Sequence, residues 1–308
     1  MFSVIFPGQG SQIVGMTSEF HSKYDLIKKL YKEADEILNF PLSKLILEGP
    51  KDQLDLTENT QPAIFLAGYS IFRLINEHHK IDLKKSKFYA GHSLGEYTAL
   101  ACAGALSFSD TLKILKIRGK AMQEAVPRGQ GGMLAILGSD IGSIDKILKD
   151  YEKNFECFIA NDNSDHQLVV SGSSENVQKF SDYLNVKKIK NIKLPVSAPF
   201  HCELMTNATE IMKKELENVD FNKSNNTLIS NVTADEILNV KDLKNLLISQ
   251  IEKKVRWRES IINMVNYGVS QFIEIGPGKV LSGLIKRINK NVKITSINNQ
   301  SDIESLRI

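Results

Sequence analysis

Short apolar runs alternate with stretches of helical periodicity along most of the chain. Phe2–Phe6 is a nearly continuous apolar run, which predicts a buried strand, and Asp25–Leu38 repeats apolar positions at the spacing of a helix. A second apolar helix is predicted to begin near Thr60, to carry Pro62 in its first turn and to reach about Glu77. Strands and helices that alternate in this way predict an α/β fold with a mostly parallel sheet.

A glycine-rich linker at 127–132 divides this pattern. The residues after it predict strand, helix, strand, strand, helix and strand, which is the order of a ferredoxin-like unit. We therefore predict a large α/β-hydrolase-like domain formed by 1–127 and 198–308, with a small ferredoxin-like domain at 128–197 inserted into it. Domain interfaces are favoured sites for small ligands, so a cleft is expected between the two. The predicted elements of the small domain are strands at 133–138, 155–160, 167–171 and 189–196 and helices at 143–151 and 174–184.

Beyond the small domain the alternation resumes. The segment at 276–279 reads GPGK and resembles part of a phosphate loop, but the glycine expected five positions before Gly278 is replaced by Ile273. We therefore interpret it as a turn from strand to helix. The elements predicted here are helices at 203–216, between 241 and 267 and up to 288, and strands at 227–232, 271–275 and 292–297.

The pentapeptide GHSLG at 91–95 matches the pattern G-x-S-x-G of a nucleophile elbow. It follows a short apolar run and precedes a predicted helix at 97–106. In an elbow the flanking glycines let the chain reverse sharply, so that Ser93 stands exposed above the strand end in a strained conformation. The same residues also suit a glycine-rich turn whose serine caps a helix. The pattern alone leaves both interpretations open.

Composition limits the classes of function. The 308 residues are 42% hydrophobic, enough for a large core, and no apolar run approaches the roughly 20 residues of a membrane span. The N-terminal residues look like a buried strand rather than a signal peptide, so we expect a cytoplasmic location. We also expect a monomer. Three distant cysteines fit neither a disulfide framework nor a metal site. A net charge of +3 is too small to indicate nucleic-acid binding.

A serine nucleophile needs a general base, and the chain has six histidines. His201 lies where the chain re-enters the large domain, and we select it as the base, although it could instead cap the following helix. The others are set aside: His21 lies on an early helix, His92 should point away from Ser93, His166 lies in a loop, and 78–79 end a helix. No histidine follows His201, which disfavours an ordinary α/β-hydrolase esterase, whose histidine lies near the C-terminus.

Two further features carry candidate chemistry. Arg118 falls on the apolar stripe of a helix predicted to reach Ala125, where a buried cation needs a carboxylate partner. From the residues alone, a structural acid is favoured over an acidic ligand. The loop at 8–12 lacks the third glycine of a dinucleotide fingerprint, because Ile13 stands there. Its backbone, particularly the amide of Gln9, could still approach a substrate closely.

Together these motifs resemble the malonyl-CoA:acyl carrier protein transacylase family over essentially the whole chain. The resemblance implies that Ser93 attacks the thioester, that His201 is its base and that no cofactor is needed. The motifs that carry it are GQGSQ at 8–12, QPA at 61–63, GHSLGE at 91–96, Arg118, Phe200-His201 and GPG at 276–278.

By the same resemblance, the other site residues receive roles. The amides of Gln9 and Leu94 would form the oxyanion hole, Arg118 would pair with the malonyl carboxylate, and the backbone carbonyl of Gln250 would orient the histidine. Gln61 would line the acyl pocket. Three further residues would bind the substrate: Phe200, which is typical of malonyl-selective acyltransferases, and Asn161 and Asn163 of the small domain.

The implied partners are malonyl-CoA and an acidic acyl carrier protein, with supply of fatty acid synthesis as the role. Charge complementarity predicts a basic docking surface. Alternatives are a related acyltransferase with another extender, a serine thioesterase or hydrolase, and a non-catalytic carrier-protein-binding domain. The two candidate surfaces are Lys187, Lys188, Lys190 and Lys193, or Lys286, Arg287 and Lys290.

Overall fold

A five-stranded parallel sheet forms the centre of the computed structural model, which describes residues 1–79, 81–196 and 198–308. From one edge to the other, its strands are Thr227–Leu228, Phe88–Gly91, Phe2–Phe6, Gln271–Ile275 and Lys293–Ile297. The predicted α/β fold with a mostly parallel sheet is therefore confirmed. Across both sheets of the chain the strands are β1 Phe2–Phe6, β2 Phe88–Gly91, β3 Gly131–Leu137, β4 Cys157–Ser164, β5 Gln167–Ser173, β6 Lys190–Lys193, β7 Thr227–Leu228, β8 Gln271–Ile275 and β9 Lys293–Ile297.

Helices cover the parallel sheet, and among those described none is long and apolar enough to cross a bilayer. The helix Thr57–Glu77 contributes the largest number of buried residues and packs against the helices Leu94–Cys102 and Phe108–Glu124. The helices are α1 Ser18–Lys23, α2 Asp25–Leu38, α3 Leu42–Glu48, α4 Lys51–Leu54, α5 Thr57–Glu77, α6 Leu94–Cys102, α7 Phe108–Glu124, α8 Ile141–Asp150, α9 Ser174–Val186, α10 Thr206–Glu217, α11 Val240–Gln250, α12 Trp257–Asn266, α13 Val280–Ile288 and α14 Gln300–Glu304.

The segment from β3 to β6 builds a second sheet with a core of its own. The sheet is antiparallel, with the order β4-β5-β3-β6, and α8 and α9 bury apolar side chains against it. The element order is strand, helix, strand, strand, helix, strand, as predicted. Ser197, the last residue of the predicted small domain, lies outside the described residues.

The second sheet is joined to the rest of the chain along β4. The amide of Asp162 donates to the carbonyl of Val255, and the amide of Val255 donates to the carbonyl of Ala160. The buried Asp162 carboxylate then accepts bonds from Nε and Nη2 of Arg258 on α12, at 3.0 and 2.9 Å. Such two-point pairing compensates a buried carboxylate with both charge and geometry.

These contacts explain one difference from the sequence prediction. The strand predicted at 155–160 instead runs as β4 to Ser164, through residues whose polar side chains argue against a buried strand. Their polar groups are accommodated because the neighbouring chain at Val255 supplies backbone partners and Arg258 supplies a charge partner. None of these contacts is local in sequence, so the pattern could not indicate them.

Two helix starts also differ from prediction. Helix α5 begins at Thr57, because the Thr57 amide donates to Gln123 on α7, and Pro62 consequently lies in its second turn. Helix α6 begins at Leu94, directly after the elbow, and ends at Cys102 rather than near 106.

Some strand boundaries also differ, and short helices were missed. The strand predicted at 227–232 is reduced to two residues, and β6 ends at Lys193 rather than at 196. The last two residues of the predicted linker, Gly131 and Gly132, belong to β3. The unpredicted helices are α3, α4 and α14, whereas α1, which carries His21, was predicted only as an early helix without bounds.

Replacing Arg258 with alanine should lower the free energy of unfolding by about 3 kcal/mol, because the Asp162 carboxylate would stay buried without its partner. Denaturant unfolding measures the change. Lys179→Ala is the control, since it breaks an exposed pair with Glu175 on α9 and should leave the unfolding midpoint unaltered. Equal effects of the two substitutions would contradict the assigned importance of the buried pair.

Candidate active site

Ser93 lies at the junction between β2 and α6 in a strained backbone conformation, with φ 52° and ψ −111°. The flanking glycines make this turn possible. A Cβ on Gly91 would lie 1.9 Å from the carbonyl carbon of Gly95, and a Cβ on Gly95 would lie 2.3 Å from the carbonyl oxygen of Phe6. The geometry is that of a nucleophile elbow, which holds the serine above the strand end.

A chain of two hydrogen bonds leads from the serine into the protein. Nε2 of His201 lies 2.9 Å from Oγ of Ser93, and its Nδ1 lies 2.8 Å from the backbone carbonyl oxygen of Gln250. A carbonyl oxygen can only accept, so Nδ1 carries the proton. Nε2 is then unprotonated and faces the serine hydroxyl, as a general base requires.

His201 is held in its neutral form. Burial, together with the nearby positive charge of Arg118, lowers the pKa of His201 to about 3, although the bond to the Gln250 carbonyl acts in the opposite direction. The imidazole is therefore neutral throughout the physiological range and available to accept a proton. The backbone of His201 has a φ of 60°, so His201, like Ser93, occupies a strained conformation.

Arg118 lies on α7, is 1% exposed and points at the same serine. Its Nη1 donates to Oε1 of Gln61 at 2.8 Å, and its Nη2 donates to Oε1 of Gln250 at 2.8 Å and to Oγ of Ser93 at 3.1 Å. The guanidinium also lies over the ring of Tyr97, 5.3 Å from its centroid. Burial lowers the pKa of Arg118.

No carboxylate among the described residues lies within ion-pair distance of Arg118. The structural acid that the sequence pattern favoured is therefore not in contact with it. Neutral oxygens from Gln61, Ser93 and Gln250 solvate the cation instead. An arginine held in this way keeps its attraction for an anionic group that enters the site.

The backbone amides of Gln9 and Leu94 do not donate to any group in the described part of the chain. Leu94 is the first residue of α6, so its amide belongs to the positive end of the helix dipole. Free amides beside a serine nucleophile are the usual donors to the oxyanion of acyl transfer. Both residues line the cavity in front of Ser93.

That cavity measures about 110 Å³. It lies between the two sheets, with walls from Phe200 and Asn161 as well as from the residues around Ser93. Asn163 is placed differently from its neighbour. Its Oδ1 lies 2.9 Å from Nε2 of His92, so it supports the wall rather than lining it. The structure thus brings together nine of the ten predicted site residues: Gln9, Gln61, Ser93, Leu94, Arg118, Asn161, Phe200, His201 and Gln250.

Two buried polar residues behind the elbow were missed by sequence reasoning. Asn231 accepts from the Ser93 amide at 2.7 Å and donates to the Gly91 carbonyl at 2.7 Å, which closes the turn. Glu96 accepts from Nε2 of Gln250 at 2.6 Å and from the Asn231 amide at 3.1 Å. The one available signal was a glutamate in the apolar helix that follows the serine.

The remaining histidines take no part in this site. His21 packs against Tyr31, the pair at 78–79 packs against Tyr24, and His166 lies in the turn between β4 and β5. Over residues 1–79, 81–196 and 198–308, no group of three potential metal ligands comes together.

Comparison with known proteins gives consistent matches over almost the whole chain. Residues 3–306 match the family model described as acyl transferase domain. The malonyl CoA-acyl carrier protein transacylase of Bacillus subtilis (strain 168) is 42% identical over 302 residues, covering 97% of this chain and 94% of the relative. That of Escherichia coli (strain K12) is 36% identical over 301 residues, covering 97% and 96%.

Solved structures agree with this result. The acyl-carrier-protein-S-malonyltransferase of Bartonella henselae superposes with a TM-score of 0.95 at 39% identity, covering 99% of this chain and 97% of the other. A malonyl-transacylase solved in complex with a type II PKS acyl-carrier protein superposes at 0.94 with 35% identity, covering 99% and 98%.

The ring of His201 should stay neutral from pH 5 to pH 8, because burial beside Arg118 holds its pKa near 3. Long-range nitrogen–proton NMR of the imidazoles measures this directly, with the His201 signals assigned from their loss in His201→Ala. The signals should show one protonated and one unprotonated nitrogen across the range. A titration of this ring with a midpoint between pH 6 and 7 would contradict the prediction.

Proposed function

Because this chain belongs to the acyl transferase domain family, we propose that it transfers a malonyl group from malonyl-CoA to the phosphopantetheine thiol of acyl carrier protein, supplying fatty acid synthesis. The observation that carries the proposal is the shared hydrogen bonding of Ser93. Its Oγ faces the unprotonated nitrogen of His201 and also accepts from Arg118. The hydroxyl that can attack an acyl group is thus hydrogen-bonded both to a base and to a cation that can select an acyl carboxylate.

In the first half-reaction Ser93 takes the acyl group. Oγ attacks the thioester carbonyl carbon while Nε2 of His201 accepts the hydroxyl proton. The amides of Gln9 and Leu94 donate to the resulting oxyanion. The carbon–sulfur bond then breaks, His201 returns the proton to the sulfur of coenzyme A, and malonyl remains as an ester on Ser93.

In the second half-reaction the thiol of acyl carrier protein attacks that ester. His201 accepts the thiol proton, the bond between Oγ and the carbonyl carbon breaks, and Oγ takes the proton back. The Gln250 carbonyl keeps the proton on Nδ1 throughout, so that Nε2 alone exchanges protons. Two half-reactions on one serine give ping-pong kinetics.

Arg118 selects the malonyl group. A carboxylate accepts two parallel N–H bonds from a guanidinium, whereas an acetyl group offers no oxygen at that position. In the free site Nη2 donates to Ser93 Oγ, and Gln61 and Gln250 hold the guanidinium beside it. Acylation removes the hydroxyl, and the carboxylate at the far end of the acyl group then becomes the partner of Arg118.

Two structural details accompany this function. We assign the segment 128–197 to a ferredoxin-like domain inserted into an α/β-hydrolase-like domain, which the element order and the antiparallel sheet support.

Of the two basic surfaces, the one around β6 is the better candidate for docking the carrier protein. Lys190 and Lys193 are exposed on this edge strand, and the chain runs from it directly into Leu194 and Val196, which line the cavity.

Incubation with malonyl-CoA alone should add the mass of one malonyl group to the protein, located on Ser93 by peptide mapping. Ser93→Ala should gain no mass, because Ser93 carries the one hydroxyl that is hydrogen-bonded to His201 among the residues that the structure describes. Intact-mass spectrometry makes the measurement, and addition of acyl carrier protein should remove the label and transfer it to the carrier.

The same experiment separates the alternatives. A thioesterase would release free malonate without a carrier, and a non-catalytic binding domain would acquire no label. Label that persists in Ser93→Ala would contradict the assignment of the nucleophile.

Arg118→Ala should lower malonyl transfer by about a hundredfold, the usual loss when a charged substrate group loses its bidentate partner, and should favour acetyl transfer relatively. Rates with malonyl-CoA and acetyl-CoA, compared as a ratio, provide the measurement. Lys120→Ala, an exposed position on the same helix, is the matched control. An unchanged ratio in Arg118→Ala would count against the selective role.

A further inference from the structure

Glu96 is a buried carboxylate that the acyl-transfer mechanism does not use. It lies on α6 three residues after Ser93 and is 1% exposed. One oxygen, Oε2, accepts from Gln250 and Asn231, whereas Oε1 has no partner in the described part of the chain. A buried carboxylate with an unsatisfied oxygen is costly, so its presence behind the nucleophile needs a reason.

The side chain of Gln250 joins this carboxylate to Arg118. Its Nε2 donates to Glu96 at 2.6 Å, and its Oε1 accepts from Arg118 at 2.8 Å. An ionised carboxylate can only accept and a guanidinium can only donate, so the amide has one possible orientation. A single amide thus separates the two buried charges.

We propose that Glu96 is the internal counter-charge of Arg118, and that by acting through Gln250 it sets how strongly the pocket attracts an acyl carboxylate. This inference rests on the proposed function of Arg118. An acid in direct contact would occupy the guanidinium and exclude the substrate. An acid held one amide away compensates the buried cation and leaves the Ser93 side of the guanidinium facing the cavity.

The arrangement makes malonyl binding sensitive to the charge on Glu96. When Glu96 is ionised, the entering carboxylate meets a pocket whose positive charge is already compensated. When Glu96 is protonated, Arg118 is uncompensated and the carboxylate binds more tightly. Acetyl carries no charge and should not respond.

Glu96 titrates in an accessible range, since burial raises its pKa to about 7 against the opposing effects of Asn231, Gln250 and Arg118. The neighbouring titratable groups do not interfere. Burial raises the pKa of Tyr97, next to it on α6, to about 12, and His201, beyond Gln250, has a pKa of about 3. Within the described structure, β1, β2 and α5 also pack on α6 but add no charge that shifts the pKa of Glu96.

The test compares the dissociation constants of malonyl-CoA and acetyl-CoA in the Ser93→Ala protein, which cannot turn over, from pH 5.5 to 8.5. Their ratio cancels the titration of coenzyme A itself. Malonyl binding should weaken by about tenfold relative to acetyl as the pH rises through 7, the effect of roughly one pKa unit of coupling. Adding Glu96→Gln should abolish this dependence and keep the tighter malonyl binding at every pH.

Glu274→Gln is the matched control, because Glu274 is an equally buried glutamate on β8 whose carboxylate accepts from Ser282 and the Leu281 amide. Added to Ser93→Ala, Glu274→Gln should leave the pH dependence of malonyl-CoA binding relative to acetyl-CoA as it is in Ser93→Ala alone. An unchanged pH dependence in Glu96→Gln overturns the inference. If that variant does not fold, calorimetry of the Ser93→Ala protein near pH 7 decides, since proton uptake should accompany malonyl-CoA but not acetyl-CoA, and equal uptake overturns the inference.

Failure of the proposed function would look different. Wild-type protein that takes no malonyl on Ser93 contradicts acyl transfer, whatever the binding constants. If the wild-type protein does take the malonyl label, but the pH dependence of malonyl-CoA binding survives in Glu96→Gln, only the role of Glu96 is contradicted.

Discussion

The site depends on burying the guanidinium of Arg118, a group that keeps its charge in any environment. Taking it out of water is costly unless fixed dipoles replace the lost hydration. Gln61 from α5, Ser93 from the elbow and Gln250 from the end of α11 provide those dipoles. Three separate parts of the large unit therefore meet at this cation, and each of them accepts a hydrogen bond from it.

Gln250 connects the two functional halves of this arrangement. Its backbone carbonyl orients His201, and its side chain holds Arg118 and Glu96. A displacement of the end of α11 would therefore move His201 and Arg118 together. Nδ1 of His201 thus has a neutral carbonyl as its partner in place of the carboxylate of a hydrolase triad, and burial beside Arg118 keeps the aligned imidazole neutral.

The parts of the site that could be predicted from the sequence are those set by local pattern. The glycines around Ser93 follow from the sharp turn, and helical periodicity identifies Arg118 as buried. The parts that could not be predicted depend on contacts between distant segments. Asn231 is recognisable only once its loop lies against the elbow, and the extension of β4 depends on Val255. The residue pattern alone favoured a structural acid in contact with Arg118, whereas the side chain of Gln250 separates Arg118 from the Glu96 carboxylate.

The attachment of β4 to the segment at Val255 and to Arg258 has a consequence for building chimaeras between relatives. The four-stranded unit has its own core, which suggests an exchangeable module. Its inner edge, however, is completed by the backbone of the other unit, and the charge of Asp162 is neutralised from α12. Asn163 also contacts His92, next to Ser93. A graft that exchanged only the inserted segment would thus carry one side of the interface between β4 and the 255–258 region. A chimaera that keeps this interface intact exchanges the 255–258 region together with the inserted segment.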